Sequence, residues 1–235
     1  VAVMDGEVAV RGDEYERVVY AGSGLEELGR GATGPTILEL LESWWAQAVA
    51  DPRVGEPSAA SLATYDDATD LPDNRILLIK DFDAHGLRFF TNRDSAKGRQ
   101  LAATPNAALV MLWHPMFRQV RFRGHVEQTD PAEDLEYWSS RPHASQVASW
   151  SSRQSAPVDR REDVTAGFES AEARFLDVDV PLPETWGGYR LRPVEVEFWV
   201  GMPARLHDRV LWRSTDGTPH PLDSPERWTL QRLQP

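Results

Sequence analysis

Cysteine is absent from this 235-residue chain. That excludes disulfides, thiolate metal sites and a cysteine nucleophile. It also fits a reducing compartment, so a cytoplasmic location is expected. Cationic residues are scarce relative to acids, 25 Lys and Arg against 37 Asp and Glu, and the formal net charge is −12. A partner with a phosphate backbone calls for the opposite balance, so nucleic-acid binding is not expected. No apolar run is long enough to cross a bilayer, and no membrane partner is expected. The segment 1–16 carries acids and no cationic stretch, so it does not read as a secretory signal. The nucleophile elbow, the Walker loop, the dinucleotide glycine pattern and HExxH are all missing. The six histidines show no metal-ligand spacing, so no metal is expected. With no amino-acid nucleophile in evidence, a cofactor would carry any difficult chemistry.

What is present suits one sizeable core: 41% of residues are hydrophobic. Residues 1–34 are Gly-rich and weakly periodic and read as an N-terminal arm, partly flexible. Residues 35–235 read as a single domain. Within the arm, Arg17 and Tyr20 are the side chains best suited to touch a ligand, although a disordered tail explains the same composition. The first helix spans 35–50, with Ile37, Leu38, Leu40, Leu41, Trp44, Trp45 and Ala48 on a broad apolar face. Short strand-like runs follow at 58–65, 75–80, 87–91, 107–113 and 117–127, separated by turn residues. This spacing predicts a mainly β fold with flanking helices, a barrel or sandwich, and not a parallel α/β sheet. In 117–127 Val120, Phe122 and Val126 share one face, and Gln119, Arg121, Arg123 and His125 share the other. Asp130-Pro131 with Glu133 predicts a capped helix on which Tyr137 and Arg141, four apart, share a face. Ser145 opens a further short segment to Trp150, and a second long helix is predicted over 159–178.

The candidate functional residues are cationic or hydroxyl-bearing, and they gather at the predicted ends of strands and starts of helices. Ser95 is placed to cap a helix with Lys97 in its first turn, where free backbone N–H groups and the helix dipole favour phosphate. In the C-terminal stretch, apolar runs at 194–200 and 210–212 flank a Gly-Met-Pro turn and predict a hairpin. Extended alternation then aligns Arg205, His207 and Arg209 on one strand face, either solvated or a platform for an anion. With Arg75, Lys80, Gln119, Tyr137, Arg141 and Ser145, this inventory suits binding of two phosphorylated small molecules.

Taken in order, these segments resemble the flavin-dependent pyridoxine (pyridoxamine) 5′-phosphate oxidase family over about residues 17–235. The motifs are Arg75-Ile-Leu-Leu-Ile-Lys80, Phe90-Thr91-Asn92 with Ser95-Ala96-Lys97-Gly98, Arg118-Gln119-Val120, and Tyr137 with Arg141-Pro142 and Ser145-Gln146. Arg153-Gln154-Ser155, Trp186-Gly187-Gly188, Glu197-Phe198-Trp199 and Arg205-Leu206-His207-Asp208-Arg209 complete them. The resemblance implies an FMN-binding split β-barrel that is homodimeric, with FMN at each subunit interface. It implies that Arg75, Thr91, Ser95 and Lys97 hold the FMN phosphate end, with Lys80 and Phe90 in the same cofactor set. Gln119, Gln154, Ser155, Trp199 and Arg209 would contact the rest of the flavin, some from the second subunit. Lys80, Tyr137, Arg141 and Ser145 would grip the phosphate of a B6-vitamer substrate. Arg205 and His207 would lie over its ring as the catalytic pair, and Arg17 and Tyr20 would close over it. The implied reaction converts pyridoxine or pyridoxamine 5′-phosphate to pyridoxal 5′-phosphate with O2 as acceptor, releasing H2O2. A related flavin oxidase acting on another heterocycle, such as a phenazine precursor, and a non-catalytic flavin or B6-phosphate binding protein are the alternatives.

The chain departs from the family pattern where Ala96 replaces an arginine common between the serine and lysine, and where Phe90 replaces a tyrosine. The lost arginine removes a charge-assisted contact worth about 1.5–3 kcal/mol where fully engaged. FMN is therefore expected to dissociate on dilution and gel filtration; a protein that emerges fully yellow contradicts this expectation.

Overall fold

The computed structural model describes residues 20–22, 25 and 34–235. Arg17 lies outside them. Five α-helices and nine strands follow in chain order: α1 Ile37–Ala50, β1 Ala59–Asp66, β2 Leu71–Leu78, β3 Asp81–Asp83, β4 Gly86–Asn92, α2 Ala96–Ala103, β5 Asn106–Trp113 and β6 Arg118–Gln128. Then come α3 Pro131–Ser140, α4 His143–Trp150, α5 Arg161–Arg174, β7 Trp186–Val200, β8 Asp208–Ser214 and β9 Trp228–Leu233. The strands form one antiparallel sheet in the order β2-β1-β5-β6-β7-β4-β3, with β8 paired to β7 and β9 to β8.

β7 organises this sheet. Along one edge it pairs with the whole of β6. Along the other it pairs first with β4, through Trp186 to Leu191, and then with β8, through Glu195 to Val200. Pro193 falls in the gap between those two pairings, where a missing N–H interrupts neither ladder. The register with β6 shifts there, between Arg123 and Gly124. Gly124 is required at that shift, because a Cβ would stand 2.1 Å from the Arg192 carbonyl oxygen.

Period-two alternation sorts the side chains. Leu62, Leu109, Phe122, Val196 and Phe198 turn inward and are fully buried. α1 closes the core, with Trp44 packed edge-on against Phe198 at 5.0 Å. Its capping box runs between Thr36 and Glu39, which is why the helix starts at Ile37 and not at 35. A second apolar cluster of Trp138, Val147, Ala171, Phe175, Val180 and Trp186 joins α3–α5 to the start of β7.

On the outer face, cross-strand registers place side chains in rows. One row runs Leu78, Ala59, Leu112, Gln119, Trp199, Arg209; the next runs Ile76, Ser61, Val110, Arg121, Glu197, Leu211.

Two expectations are corrected here. The C-terminal stretch is not one continuous strand face. Pro203 opens a 3-10 turn, Ala204 and Arg205 take left-handed φ of 54° and 62°, and β8 begins only at Asp208. Only Arg209 therefore belongs to the sheet; Arg205 and His207 sit on the preceding loop. Tyr137 and Arg141 do not share a helix face either. The helix ends at Ser140, and Arg141 is its extended C-cap because Pro142 follows.

Candidate functional site

The start of α2 builds a cation site. Ser95 is fully buried, and its hydroxyl accepts from the Gly98 N–H at 3.3 Å, fixing the first turn. Lys97 Nζ donates to Thr91 Oγ1 at 3.2 Å, Ser95 Oγ at 3.2 Å and Gln154 Oε1 at 3.1 Å. All three acceptors are neutral, and no carboxylate contacts Lys97 among the described residues. Burial lowers the Lys97 pKa, the nearby Arg75 guanidinium lowers it further, and Asp73 opposes both. Arg75, on the inward face of β2, differs. It is paired with Asp73 and donates to the Thr64 hydroxyl and to Gln100 Oε1, the last at 2.9 Å. A half-buried ammonium surrounded by hydroxyls and helix N–H groups has the chemistry of a phosphate site. Gln154, expected elsewhere on the flavin, is placed here; Ser155 lies beside it in a left-handed, exposed conformation, lining a cavity of about 790 Å³ with Arg153 and Trp150.

Adjacent to Thr91, Phe90 begins an aromatic box. Its ring stacks on Tyr137 at 4.1 Å and on Trp186 at 5.3 Å. The Arg141 guanidinium lies 4.9 Å from the Trp186 ring and 5.1 Å from Trp138. Its Nη1 donates to Ser149 Oγ at 2.8 Å, and that hydroxyl donates to the Ser145 carbonyl at 3.1 Å. Arg141 too meets no carboxylate among the described residues, and burial lowers its pKa. Tyr137, Arg141 and Ser145 are thus gathered by Trp186 and the α3–α4 corner, not by helical periodicity.

The third group lies at the far end of β7. Gln119 faces Trp199 across β6–β7, and Trp199 faces Arg209 across β7–β8. The His207 ring is 4.7 Å from Trp199, and Tyr20 packs edge-on against both at 5.4 Å and 5.9 Å. The Met202 N–H donates to His207 Nδ1 at 3.2 Å, which leaves Nε2 to carry the proton of a neutral ring. Gly22 N–H donates to the Gly201 carbonyl at 2.9 Å and seats the arm beside this group. Arg209 Nε donates to the buried Glu197 at 2.7 Å.

Two expected members are not gathered. Arg205 is exposed and makes no hydrogen bond or ion pair among the described residues. Lys80 lies beyond β2, not within it, and is exposed, with its charge felt at Glu56. Three contributors were not singled out from the sequence: Trp138, Ser149 and Glu197. An acid inside the apolar run 194–200 was the available signal for Glu197; nothing marked Ser149 as the partner of Arg141.

The Lys97 group faces Gly187 and Gly188 of β7, whereas the Gln119–Arg209 row faces Trp199. The two groups therefore meet opposite ends of β7.

Comparison with known proteins follows this geometry. The family described as pyridoxamine 5′-phosphate oxidase matches residues 47–174. The pyridoxine 5′-phosphate oxidase C-terminal dimerisation region matches residues 186–235. A pyridoxine/pyridoxamine 5′-phosphate oxidase of Saccharopolyspora erythraea is 43% identical, with 93% of each chain covered. One of Salinibacter ruber is also 43% identical, covering 89% of this chain and 94% of its own. Among solved structures, PhzG from Burkholderia lata, in complex with tetrahydrophenazine-1-carboxylic acid, is 30% identical with a TM-score of 0.77, covering 86% of this chain and 94% of its own. A pyridoxamine 5′-phosphate oxidase-related, FMN-binding protein of Nostoc punctiforme, 19% identical with a TM-score of 0.63, shares the split-barrel fold.

The lowered Lys97 pKa gives a pH prediction. A lysine whose pKa is lowered loses its proton before a free lysine does, so anion affinity falls as pH rises through the lowered value. Inorganic phosphate should bind progressively more weakly as pH rises toward the ordinary lysine range near about 10.4, and the loss should begin below that range. Lys97→Arg should flatten that dependence; a flat profile in the unaltered protein refutes it.

Proposed function

Because the chain belongs to the pyridoxine/pyridoxamine 5′-phosphate oxidase family, we propose that it oxidises pyridoxine or pyridoxamine 5′-phosphate to pyridoxal 5′-phosphate, using FMN and O2. The observation that carries this reading is a pair of half-buried cations, Lys97 and Arg141, neither contacted by a carboxylate among the described residues. Thr91, which meets Lys97, and Phe90, which stacks on Tyr137, are consecutive on β4 and point to its two faces. Leaving one cation unpaired is costly, and leaving two suits two phosphate groups.

The residues fit FMN. Lys97, Ser95 and Thr91 would hold its phosphate with the start of α2, and the Gln119–Trp199–Arg209 row of a second chain would face its ring. When bound, FMN supplies the two-electron acceptor for oxidation at the substrate C4′ carbon and is reoxidised by O2 with release of H2O2. The protein groups bind and orient. Arg141, with Tyr137 and Ser145, would grip the substrate phosphate in the aromatic box. His207, whose Nδ1 accepts from the Met202 N–H, would turn Nε2 to the substrate ring. Trp199 and Tyr20 would shield the site from water, and Arg205, on a loop with no competing partner among the described residues, would be free to reach over the ring.

The match to the dimerisation region supports a homodimer, as does the apolar end of the outer sheet face. There Ile76 is 68% and Leu112 54% exposed in the isolated chain. Ile76→Asp with Leu112→Asp should yield monomers in sedimentation and weaken FMN binding in a titration relative to the unaltered protein; a monomer that binds FMN normally contradicts the two-chain site.

The similarity to PhzG keeps a phenazine-type substrate as the second reading, and the ligand named for that protein is a carboxylic acid without phosphate. Purified protein supplied with FMN, O2 and each B6 phosphate should form pyridoxal 5′-phosphate and peroxide. Flavin-loaded protein that forms neither removes the first reading. Arg141→Ala should raise KM for the phosphorylated substrate about 10- to 150-fold and leave FMN affinity within about threefold. Equal loss of both would contradict the assignment of Arg141 to the substrate.

A further inference from the structure

The outer sheet face carries two Arg–Glu–Arg bridges in successive rows. In the upper one, Glu197 Oε1 accepts from Arg209 Nε at 2.7 Å and Oε2 accepts from Arg121 Nη2 at 2.5 Å. In the lower one, Glu195 takes Arg213 Nε and Arg123 Nη1, each at 2.9 Å. The chemistry is the same but the setting is not. The Glu197 side chain is 3% exposed and that of Glu195 16%. Glu197 stands directly behind the Gln119–Trp199–Arg209 row: it pairs with Arg121 and Leu211 in register and reaches Arg209 diagonally. Glu195 touches no member of that row.

We propose that Glu197 is a positioning residue for the cofactor, fixing the direction of the Arg209 guanidinium that would meet the flavin. The inference rests on the reading that places Arg209 at the FMN ring. With Nε directed at Glu197 and Nη1 donating to the Gln234 carbonyl at 3.1 Å, Arg209 keeps Nη2 uncommitted among the described residues. A guanidinium anchored by one edge presents its remaining N–H groups in a fixed direction. A free one would have to be ordered when the ligand binds. Glu197 also sets the charge. One carboxylate lies between two guanidiniums, so Arg209 and Arg121 do not repel across the row. Without it two like charges would face each other in a half-buried setting. The Glu197 contact also raises the Arg209 pKa.

The test is FMN titration of the apoprotein, followed by quenching of flavin fluorescence. It compares the unaltered protein with Glu197→Gln, Arg209→Ala, the double variant and Glu195→Gln. Glu197→Gln should weaken FMN binding by at least about tenfold, and Glu195→Gln by less than about twofold. The double variant should bind no more weakly than Arg209→Ala alone, because Glu197 acts only through Arg209. At saturating FMN, Glu197→Gln should leave KM for the phosphorylated substrate unchanged. The proposal is overturned if Arg209→Ala loses FMN and Glu197→Gln does not, if the two losses multiply, or if both glutamate variants weaken FMN alike. If Arg209→Ala itself binds FMN normally, the placement of Arg209 on the flavin fails and the inference falls with it. Should Glu197→Gln not fold, Arg209→Lys interrogates the same contact. Lysine keeps the charge and lacks Nε–H, so FMN should again be weakened, and unaltered binding overturns the proposal.

Discussion

The length of β7, and its change of neighbour part-way along, constrain everything else in this molecule. A fifteen-residue strand is long enough to carry two separate pairings on one edge. Its first half joins β4 and the helical cluster around Trp186; its second half joins β8 and the aromatic group around Trp199. Pro193 and the register shift at Gly124 fall where neither of those two pairings is made. On the function proposed above, the two ends of β7 would serve one ligand, each end taken from a different protomer.

Electrostatics gives the two ends different characters. Around Trp199 and along the outer face the described acids are matched: buried Glu197 serves Arg121 and Arg209, and partly buried Glu195 serves Arg123 and Arg213. Near Trp186 the matching is selective. Asp134 is buried and occupied by Arg93, Thr129 and the Gly188 N–H, and Asp83 and Glu133 engage Arg88 and Arg190. Against that background of satisfied pairs, Lys97 and Arg141 stand out because hydroxyls, an amide oxygen and aromatic faces are all they contact. Burial without a counter-charge lowers both pKa values, and an incoming dianion would relieve that unfavourable state. On the function proposed above, affinity for phosphate would be built in by withholding acids, not by accumulating bases, which also reconciles anion sites with a chain of net charge −12.

Much of this was legible in the sequence where a single period ruled. The apolar stripe of α1, the alternation of β6 and the Asp130–Glu133 capping box each depend on near neighbours, and each formed as expected. Ser95 and Lys97 were legible for the same reason, since cap and first turn are local. The loop at 203–207 was not. Alternation of Arg205, His207 and Arg209 looked like a strand, but Pro203 and two left-handed residues break the extended chain before β8 starts. Tyr137 and Arg141 were paired for the wrong reason. They meet because Trp186, dozens of residues away in sequence, forms a wall that both pack against. Contacts of that kind, like Arg141 with Ser149 or Lys97 with Gln154, are set by tertiary packing and leave no periodic trace.

The choice between a phosphorylated vitamer and a phenazine-type acid then turns on Arg141 alone. Either ligand is an anion, and either could neutralise a guanidinium. Arg141 lies between two indole faces and beside the Ser149 hydroxyl, at a corner whose helix termini leave backbone groups free. A tetrahedral dianion uses donors from several directions, whereas a planar carboxylate on a fused ring system is best served by a coplanar fork. The Phe90–Tyr137–Trp186 stack fills the space beside Arg141 with closely packed rings. A ligand that projects a flexible phosphate arm into this corner suits it better than a rigid tricycle whose carboxylate is fixed to the ring. On the function proposed above, the corner around Arg141 would receive the vitamer phosphate.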